Sequence, residues 1–457
     1  MKNKRIVVLL KYFKGELNPF DGAALECALE TGSKEIIALS MAPMFALNAF
    51  QNVTRLGVKC VMISDSSYAG SDTQATSFIL SEAIKRLNPD LIFCGRQSVD
   101  GDTAQVPPML AERLVFSIKT KAIAFDKEKI SLRSGESFLP QDKTVVTFEK
   151  IRTLRFPSIF SKLGEVEIWD NQILGLPKEK CGLKGSSTRV VKSYESSVGR
   201  RSCTFHSIKE LSSLIVEGLQ KQRVGQTESL GEKLDKVYFV GKVKSIAEQV
   251  GKSVIELQTE NKTAKELARE LQEKNAKVVL WEDSEYLKTL ASQTAVWTEA
   301  GICADCISFR VKDGKLVMTR PALGGNVTAD IVCESKLAFA TVRTVKEENT
   351  DVIFSVGKGA VEHIEKIRAL AKKYHAEVCC SRIVADSGKM PYESQVGLTG
   401  RTVNPKVYVA FGISGAVQHT CAISGVGTVI GVNVDKDARI FDYADYGILE
   451  DVNNLPQ

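Results

Sequence analysis

The first 120 residues alternate short apolar runs with longer amphipathic ones, and this alternation leaves few folds open. Ile6–Leu10, Ile36–Ser40, Cys60–Ser64 and Leu91–Cys94 read as strands. Between them, Gly22–Thr31 and Ala42–Gly57 have helical spacing, the second through Phe45, Ala49, Val53 and Leu56. A third helix, capped by Ser71 or Asp72, sets Phe78, Ile79, Ala83 and Ile84 on one face and stops at Asn88-Pro89. Strands this apolar have no face for water. Separated by helices, they imply a parallel sheet covered on both sides, an α/β architecture.

The texture changes after Thr120. Thr120–Phe125, Ile130–Arg133 and Thr144–Glu149 read as shorter strands, and Ile151–Ser187 as an irregular basic arm. Ser207-Ile208-Lys209-Glu210 is a capping box opening a helix to Gln222. Arg223–Lys236 is polar and glycine-containing, a linker pattern. A second α/β unit begins at Val237–Val240, with a helix at Lys262–Lys274 and a strand at Val278–Trp281. Asp351–Val356, Glu377–Cys380 and Val407–Phe411 are further strands, and Ala360–His375 a charged helix. The segments expected are 1–222, a linker 223–236, then 237–349 and 350–457, which suits a 457-residue chain at ~100–200 residues per domain.

Composition narrows the function. Lys and Arg exceed Asp and Glu by six, at a pI near 8.6, below the ~9 that marks a nucleic-acid-binding domain. No apolar run approaches the ~18 residues of a membrane span. Lys2, Lys4 and Arg5 precede an apolar run that Lys11 ends too soon for a signal peptide, so a cytoplasmic protein is expected. Eleven cysteines, an odd number, fit unpaired thiols in a reducing compartment. Cys303-Ala304-Asp305-Cys306 has no second pair at zinc spacing, and Cys306 reads as the start of a strand Ile307–Val311, so no metal is expected. His363 and His375 fall on a solvated helix. No nucleophile elbow, HExxH or complete P-loop is present, which leaves hydrolase chemistry unsupported.

Four segments are candidates for chemistry. Val407–His419 runs from an apolar strand through Gly412-Ile413-Ser414-Gly415 into a helix. It is either a phosphate-binding turn or a plain tight turn. Gln395–Gly400 offers two glycines and the Thr399 hydroxyl. Ser381-Arg382 follows a strand end, where Arg382 would face either an anionic cofactor or a surface carboxylate. The fourth, Gly95–Gln105, carries Asp100 and Asp102 before Pro107-Pro108. Asp102 or Thr103 caps the next helix, or the loop reads sugar hydroxyls, or it binds a metal with a phosphate.

Together these motifs resemble the electron-transfer flavoprotein family. Residues 1–222 resemble its β subunit through Asn18–Asp21 (NPFD), Ala38–Pro43, Ala69–Ser77 (AGSDTQATS), Gly95–Val106 and Gly182–Lys192. The rest resembles a shortened α subunit through Ala304–Cys306, Thr319–Asn326 (TRPALGGN), Ala340–Arg343, Ser381–Gly388, Gln395–Gly400, Gly412–His419 and Ala444–Gly447. The chain thus resembles a β–α fusion. The resemblance departs at Lys11–Gly15, Ala42 and Pro107, and the α-like part lacks its first β-α-β portion.

The resemblance implies adenine nucleotide α-hydrolase-like units and a C-terminal doubly wound domain that binds FAD. The FAD residues it implies are Lys358, Ser381, Arg382, Gln395, Val396, Gly397, Leu398, Thr399, Gly400, Ser414, Gly415, Ala416, Val417, Gln418, His419, Asn433, Asp451 and Val452. Among them Arg382 is assigned to the flavin ring face, Thr399 to N5 and His419 to the O2 edge. It also implies a second nucleotide at Leu9, Asn18, Pro19, Phe20, Asp21, Met41, Asp100, Gly101, Asp102, Thr103, Ala104, Gln105 and Val106. That nucleotide is AMP in simple carriers, as in fatty acid β-oxidation. It is a second FAD, exchanging electrons with NADH, in bifurcating members, whose loop the DGDTAQV form resembles more. The partner implied is an acyl-CoA dehydrogenase-like flavoenzyme docking at Arg155–Phe160, with Ile159 the apolar anchor. A nucleotide-binding regulatory module without redox activity is the alternative from a different class.

Overall fold

The computed structural model describes residues 1–126, 129–195, 200–221, 231–323, 327–343 and 350–455. The described residues fall into two compact units. The first takes Met1–Lys192, Gly231–Leu323 and Ala329–Val342, and the second Ser193–Leu230, Gly324–Thr328 and Arg343–Gln457. Among the described residues no helix is long and apolar enough to cross a membrane.

The first unit is built on a nine-stranded sheet. Its spatial order is Val166–Trp169, Lys59–Ile63, Glu35–Met41, Arg5–Leu9, Leu91–Gly95, Thr144–Phe148, Ser117–Asp126, Lys129–Leu132 and Ser137–Phe138. The first seven strands are parallel and the last two join as antiparallel hairpins. Alternate residues of one strand enter opposite cores. Ile6 and Val8 pack with Phe93 and Phe148, whereas Val7 and Leu9 pack with Ile63, Ile79 and Ile84. The chain order reverses between Arg5–Leu9 and Leu91–Gly95. Their carboxyl ends diverge there, and such a switch point opens a crevice.

A second parallel sheet in this unit runs Gly251–Glu256, Leu234–Val240, Val278–Glu282, Ala338–Val342, Gly301–Cys306. The helix Glu285–Thr298, Ser284-capped, closes its core of Trp281, Leu290 and Phe339. Met109 of the helix Val106–Leu114 enters the same core.

The second unit is a six-stranded parallel sheet in the order Thr204–His206, Tyr446–Ile448, Thr428–Val432, Val407–Phe411, Val352–Val356, Glu377–Cys380. Strand order reverses between Val352–Val356 and Val407–Phe411, a second switch point. The strand Thr204–His206 and the helix Leu211–Gln220 belong here, although both precede the linker pattern. Pairing with Tyr446–Ile448 and burial of Leu211, Leu214 and Ile215 bring them in.

Local differences have local causes. Ala42–Gly57 is a 3-10 turn, a five-residue helix (Leu47–Gln51) and a second 3-10 segment, because Pro43 delays its start and Gly57 ends it at φ +79°. The α-helix expected from Ala360 begins at Ile364, because Lys358–His363 winds as 3-10. The linker pattern overran into a strand, since Leu234 and Lys236 pair with Gly251 and Ser253. Residues 222–230 and Gly324–Asn326 lie outside the described residues. Cys306 ends a strand instead of starting one, where a bulge between Cys303 and Cys306 sets Asp305 at φ +61°. All eleven cysteines are free thiols, nine of them buried, and no cluster that could hold a metal occurs among the described residues.

Candidate functional site

At the first switch point the carboxyl ends of Arg5–Leu9, Glu35–Met41, Lys59–Ile63 and Leu91–Gly95 surround a cavity of about 860 Å³. Leu9, Asn18, Asp21, Met41, Asp100, Gly101, Thr103, Ala104, Gln105 and Val106 line it. Pro19, Phe20 and Asp102 do not. Pro19 opens the helix Pro19–Glu30, and Phe20 is buried beneath the cations of Arg96 and Lys150, 5.5 and 4.9 Å from its ring. Asp102 accepts from Gln97 Nε2 at 2.8 Å. It does not cap the following helix, whose N-cap is Gln105, without a side-chain bond, because Asp102 and Ala104 take left-handed turns (φ +50° and +55°) before it.

Asp21 ties the cavity floor. Its carboxylate accepts the Lys11 N–H at 2.8 Å and the Gly95 N–H at 2.9 Å, and so bridges the loops after the two switch-point strands. A Cβ on Gly95 would overlap Asp21 and Phe20, so only glycine lets the strand end meet this carboxylate. Burial pushes the Asp21 pKa up to about 7 against the lowering pull of those amides.

The pair of carboxylates in the loop is neutralised differently from either sequence expectation. Lys11 Nζ lies 2.8 Å from Asp100 Oδ2 and 3.4 Å from Ser98 Oγ. Burial would raise Asp100, but the Lys11 ammonium holds it below its ordinary range. Among the described residues, the buried lining atoms Asn18 Oδ1, Asp100 Oδ1 and Gln105 Nε2 make no hydrogen bond. Buried polar atoms need partners, so this wall suits a ligand with both donors and acceptors. Sequence reasoning missed Lys11, Arg96, Tyr68, Asp72 and Thr73, which also line the cavity. The Ala69–Ser77 motif contained the signal for the last two. Nothing local pointed to Lys11, which is brought to Asp100 by the sheet.

In the second unit the expected residues gather at the carboxyl edge of the sheet. Thr399 Oγ1 accepts from Gln395 Nε2 at 2.9 Å and from Arg382 Nη1 at 3.4 Å, and Arg382 Nε also meets Asp386 at 3.2 Å. The turn Gln395–Gly400 is joined to the glycine-rich segment by the Leu398 N–H, which donates to the Gln418 carbonyl at 2.6 Å. Gly397 packs there with φ +148° beside Val396, which is buried. Asn433 Nδ2 donates to the Ile413 carbonyl at 2.9 Å. The Gly359 N–H donates to the Gly412 carbonyl at 3.1 Å, which sets the exposed Lys358 beside the same turn. Ser381 is the N-cap residue before Arg382, and Asp451 caps the 3-10 turn that buries Val452 against the core.

Gly412–Gly415 does not open a long helix. It leads into the single turn Val417–Thr420, so a helix dipole is not what this segment offers. It offers bare amides instead: the N–H groups of Ile413, Ser414, Gly415 and Ala416 have no acceptor among the described residues. Gly415 holds φ +80°, and a Cβ there would overlap the Ile440 nitrogen. A row of open amides is an anion-binding concavity without a helix. Ser414, Ala416 and Gln418 are exposed; Gly415, Val417 and His419 are buried.

His419 is 6% exposed, with Nε2 2.8 Å from the Tyr408 hydroxyl and a backbone acceptor of Val396 facing the ring. Burial pulls its pKa down to about 4, so the ring is neutral at pH 7. Open amides, a buried neutral imidazole and the Arg382 guanidinium at one edge fit a flavin dinucleotide.

A third feature is the loop 155–163. Phe156, Ile159 and Phe160 are 95%, 85% and 86% exposed, while the loop is pinned below. Arg155 pairs with the buried Glu26 at 2.6 Å, and Arg55 donates to the Ser158 and Ser161 carbonyls.

The electron transfer flavoprotein domain model matches residues 6–137 and 247–367, more than half the chain, and the electron transfer flavoprotein FAD-binding domain model matches 347–424. The electron transfer flavoprotein subunit beta of Thermoanaerobacterium thermosaccharolyticum is 35% identical over 227 residues, 46% of this chain and 87% of that protein. Subunit alpha of the same organism is 32% identical over 237 residues, 42% of this chain and 71% of that protein. The acryloyl-CoA reductase electron transfer subunit beta of Anaerotignum propionicum is 34% identical over 205 residues, 34% of this chain and 56% of that protein. The relatives named as electron transfer flavoprotein subunits beta and alpha cover the N-terminal and the C-terminal part, respectively.

Proposed function

The chain belongs to the electron transfer flavoprotein family, and on that premise we propose that it is a β–α fusion acting as a one-chain electron carrier. Its working FAD is held at the carboxyl edge of the second unit's sheet. The observation that carries this reading is the convergence there of Arg382, Thr399, His419 and the open amides of Ile413–Ala416. Bound FAD supplies the electron-carrying chemistry; the protein supplies binding and electrostatics. The amides and Lys358 hold the diphosphate. Arg382 sets a positive charge beside the ring and favours its reduced, more negative state. Gln395 orients the Thr399 hydroxyl, and His419 provides a neutral polar edge.

The cavity of the first unit takes a second FAD in this reading. At about 860 Å³ it lies near the top of the ~300–1,000 Å³ range for ligand sites, and apolar Leu9, Leu39, Met41, Ile63 and Leu80 suit an aromatic ring. The unpartnered Asn18, Asp100 and Gln105 atoms address sugar or base. Two flavins would make the protein a bifurcating carrier drawing on NADH; AMP in the same cavity would make it a simple carrier. The pinned, apolar loop at Ile159 fits docking to an acyl-CoA dehydrogenase-like flavoenzyme. Cofactor extraction tests the reading. Two FAD per chain support it, and one FAD with one AMP restricts the protein to simple transfer.

A further inference from the structure

The two ring nitrogens of His419 lie in different surroundings. Nε2 faces the Tyr408 hydroxyl at 2.8 Å, and Tyr408 is wholly buried on the strand Val407–Phe411. Nδ1 is buried, and the backbone acceptor that faces the ring is Val396. A phenol closed off from water must place its hydrogen on some acceptor. Ser355 is the other hydroxyl beside it, and it acts on the phenol as a donor, opposing the upward push of burial on the phenol's pKa. The phenol therefore donates to Nε2. A ring nitrogen that accepts carries no proton, so a neutral imidazole must keep its one N–H at Nδ1. No carboxylate stands on Val407–Phe411, Gln395–Gly400 or Ile413–Thr420 to favour a cation.

We propose that Tyr408 is a positioning residue that locks His419 in the neutral form protonated at Nδ1, so that the ring brings the flavin neither a positive charge nor a lone pair. The flavin in this inference rests on the FAD reading above; the lock itself is a property of the protein alone. In this arrangement the full positive charge near the ring comes from Arg382 and not from His419.

The test is a long-range ¹H–¹⁵N spectrum of the full chain labelled in its histidines, recorded without cofactor and after FAD addition, with His419→Gln to assign the signal. The lock predicts a protonated Nδ1 and a bare Nε2 at pH 7, with no titration of the ring down to pH 5. Tyr408→Phe keeps the ring volume and removes the donor. Losing one such bond should move the tautomer balance toward Nε2–H about fivefold or more and weaken FAD binding by a similar factor. A protonated Nε2 in the unmodified chain, a charged ring at pH 7, or an unchanged balance in Tyr408→Phe overturns the proposal. If Tyr408→Phe does not fold, the unmodified chain's spectrum decides alone. If the ring signals are as stated but no FAD is taken up, the lock stands and the cofactor reading falls.

Discussion

Asp21 makes the first cavity sensitive to pH in a direction that can be worked out. Its carboxylate is buried, bridges the Lys11 and Gly95 amides, and has a pKa raised from 3.8 to about 7. A rise of about three units corresponds to about 4 kcal/mol of linkage between protonation and folding. Because the folded value lies above the unfolded one, this stabilisation is fully present below about 3.8 and is lost as pH rises through about 7. Asp21→Asn removes the titration. Its amide can accept from only one of the two N–H groups, which adds a pH-independent cost of about 1–3 kcal/mol. All three tryptophans, Trp169, Trp281 and Trp297, lie in the first unit, so urea unfolding followed by tryptophan fluorescence reports that unit. Between pH 4 and pH 8 the unmodified chain should lose about 4 kcal/mol relative to Asp21→Asn. A gap that stays constant across this range, or one that moves in favour of the unmodified chain, refutes the reasoning.

Gly415→Ala should weaken FAD binding at least about tenfold in a fluorescence titration, since the left-handed φ and the nearby Ile440 nitrogen both exclude a Cβ; unchanged affinity would remove this turn from the site. Arg382→Ala should lower the potential of the bound flavin by the equivalent of about 1 kcal/mol, a half-exposed charge being partly screened. Spectroelectrochemistry at low salt reads this directly, and an unshifted potential means the guanidinium does not face the ring. Ile159→Ser should leave stability within about 0.5 kcal/mol. It should slow electron exchange with an acyl-CoA dehydrogenase about tenfold, and equal rates would exclude the loop as the docking point.

Much of the fold was legible because strand apolarity and helix capping are local signals. The strand Glu377–Cys380 and the helix Thr73–Leu87 follow directly from them, the latter with Asp72 accepting the Ala75 N–H at 3.0 Å. The residues around His419 were legible for a similar reason, because they cluster in a few short segments. What was not legible depends on partners remote in sequence. Thr204–His206 joins the C-terminal sheet through Tyr446–Ile448, about 240 residues away. Lys11 becomes part of the cavity only when the loop after Leu91–Gly95 carries Asp100 to it. A phosphate-binding turn at Gly412–Gly415, one of two expectations there, rested on a helix start, whereas the structure has bare amides ahead of a single helical turn. Tyr408 gave no signal at all, since one tyrosine within an apolar strand reads as core until its hydroxyl is seen at His419.

On the reading proposed above, the protein carries flavin in the second unit and again in the first. Denaturing extraction of the purified chain, with the released nucleotides separated and quantified against protein, tests both halves at once. Two FAD per chain is the predicted result. One FAD with one AMP contradicts the second flavin, and a colourless chain that takes up no added FAD contradicts the claim entirely.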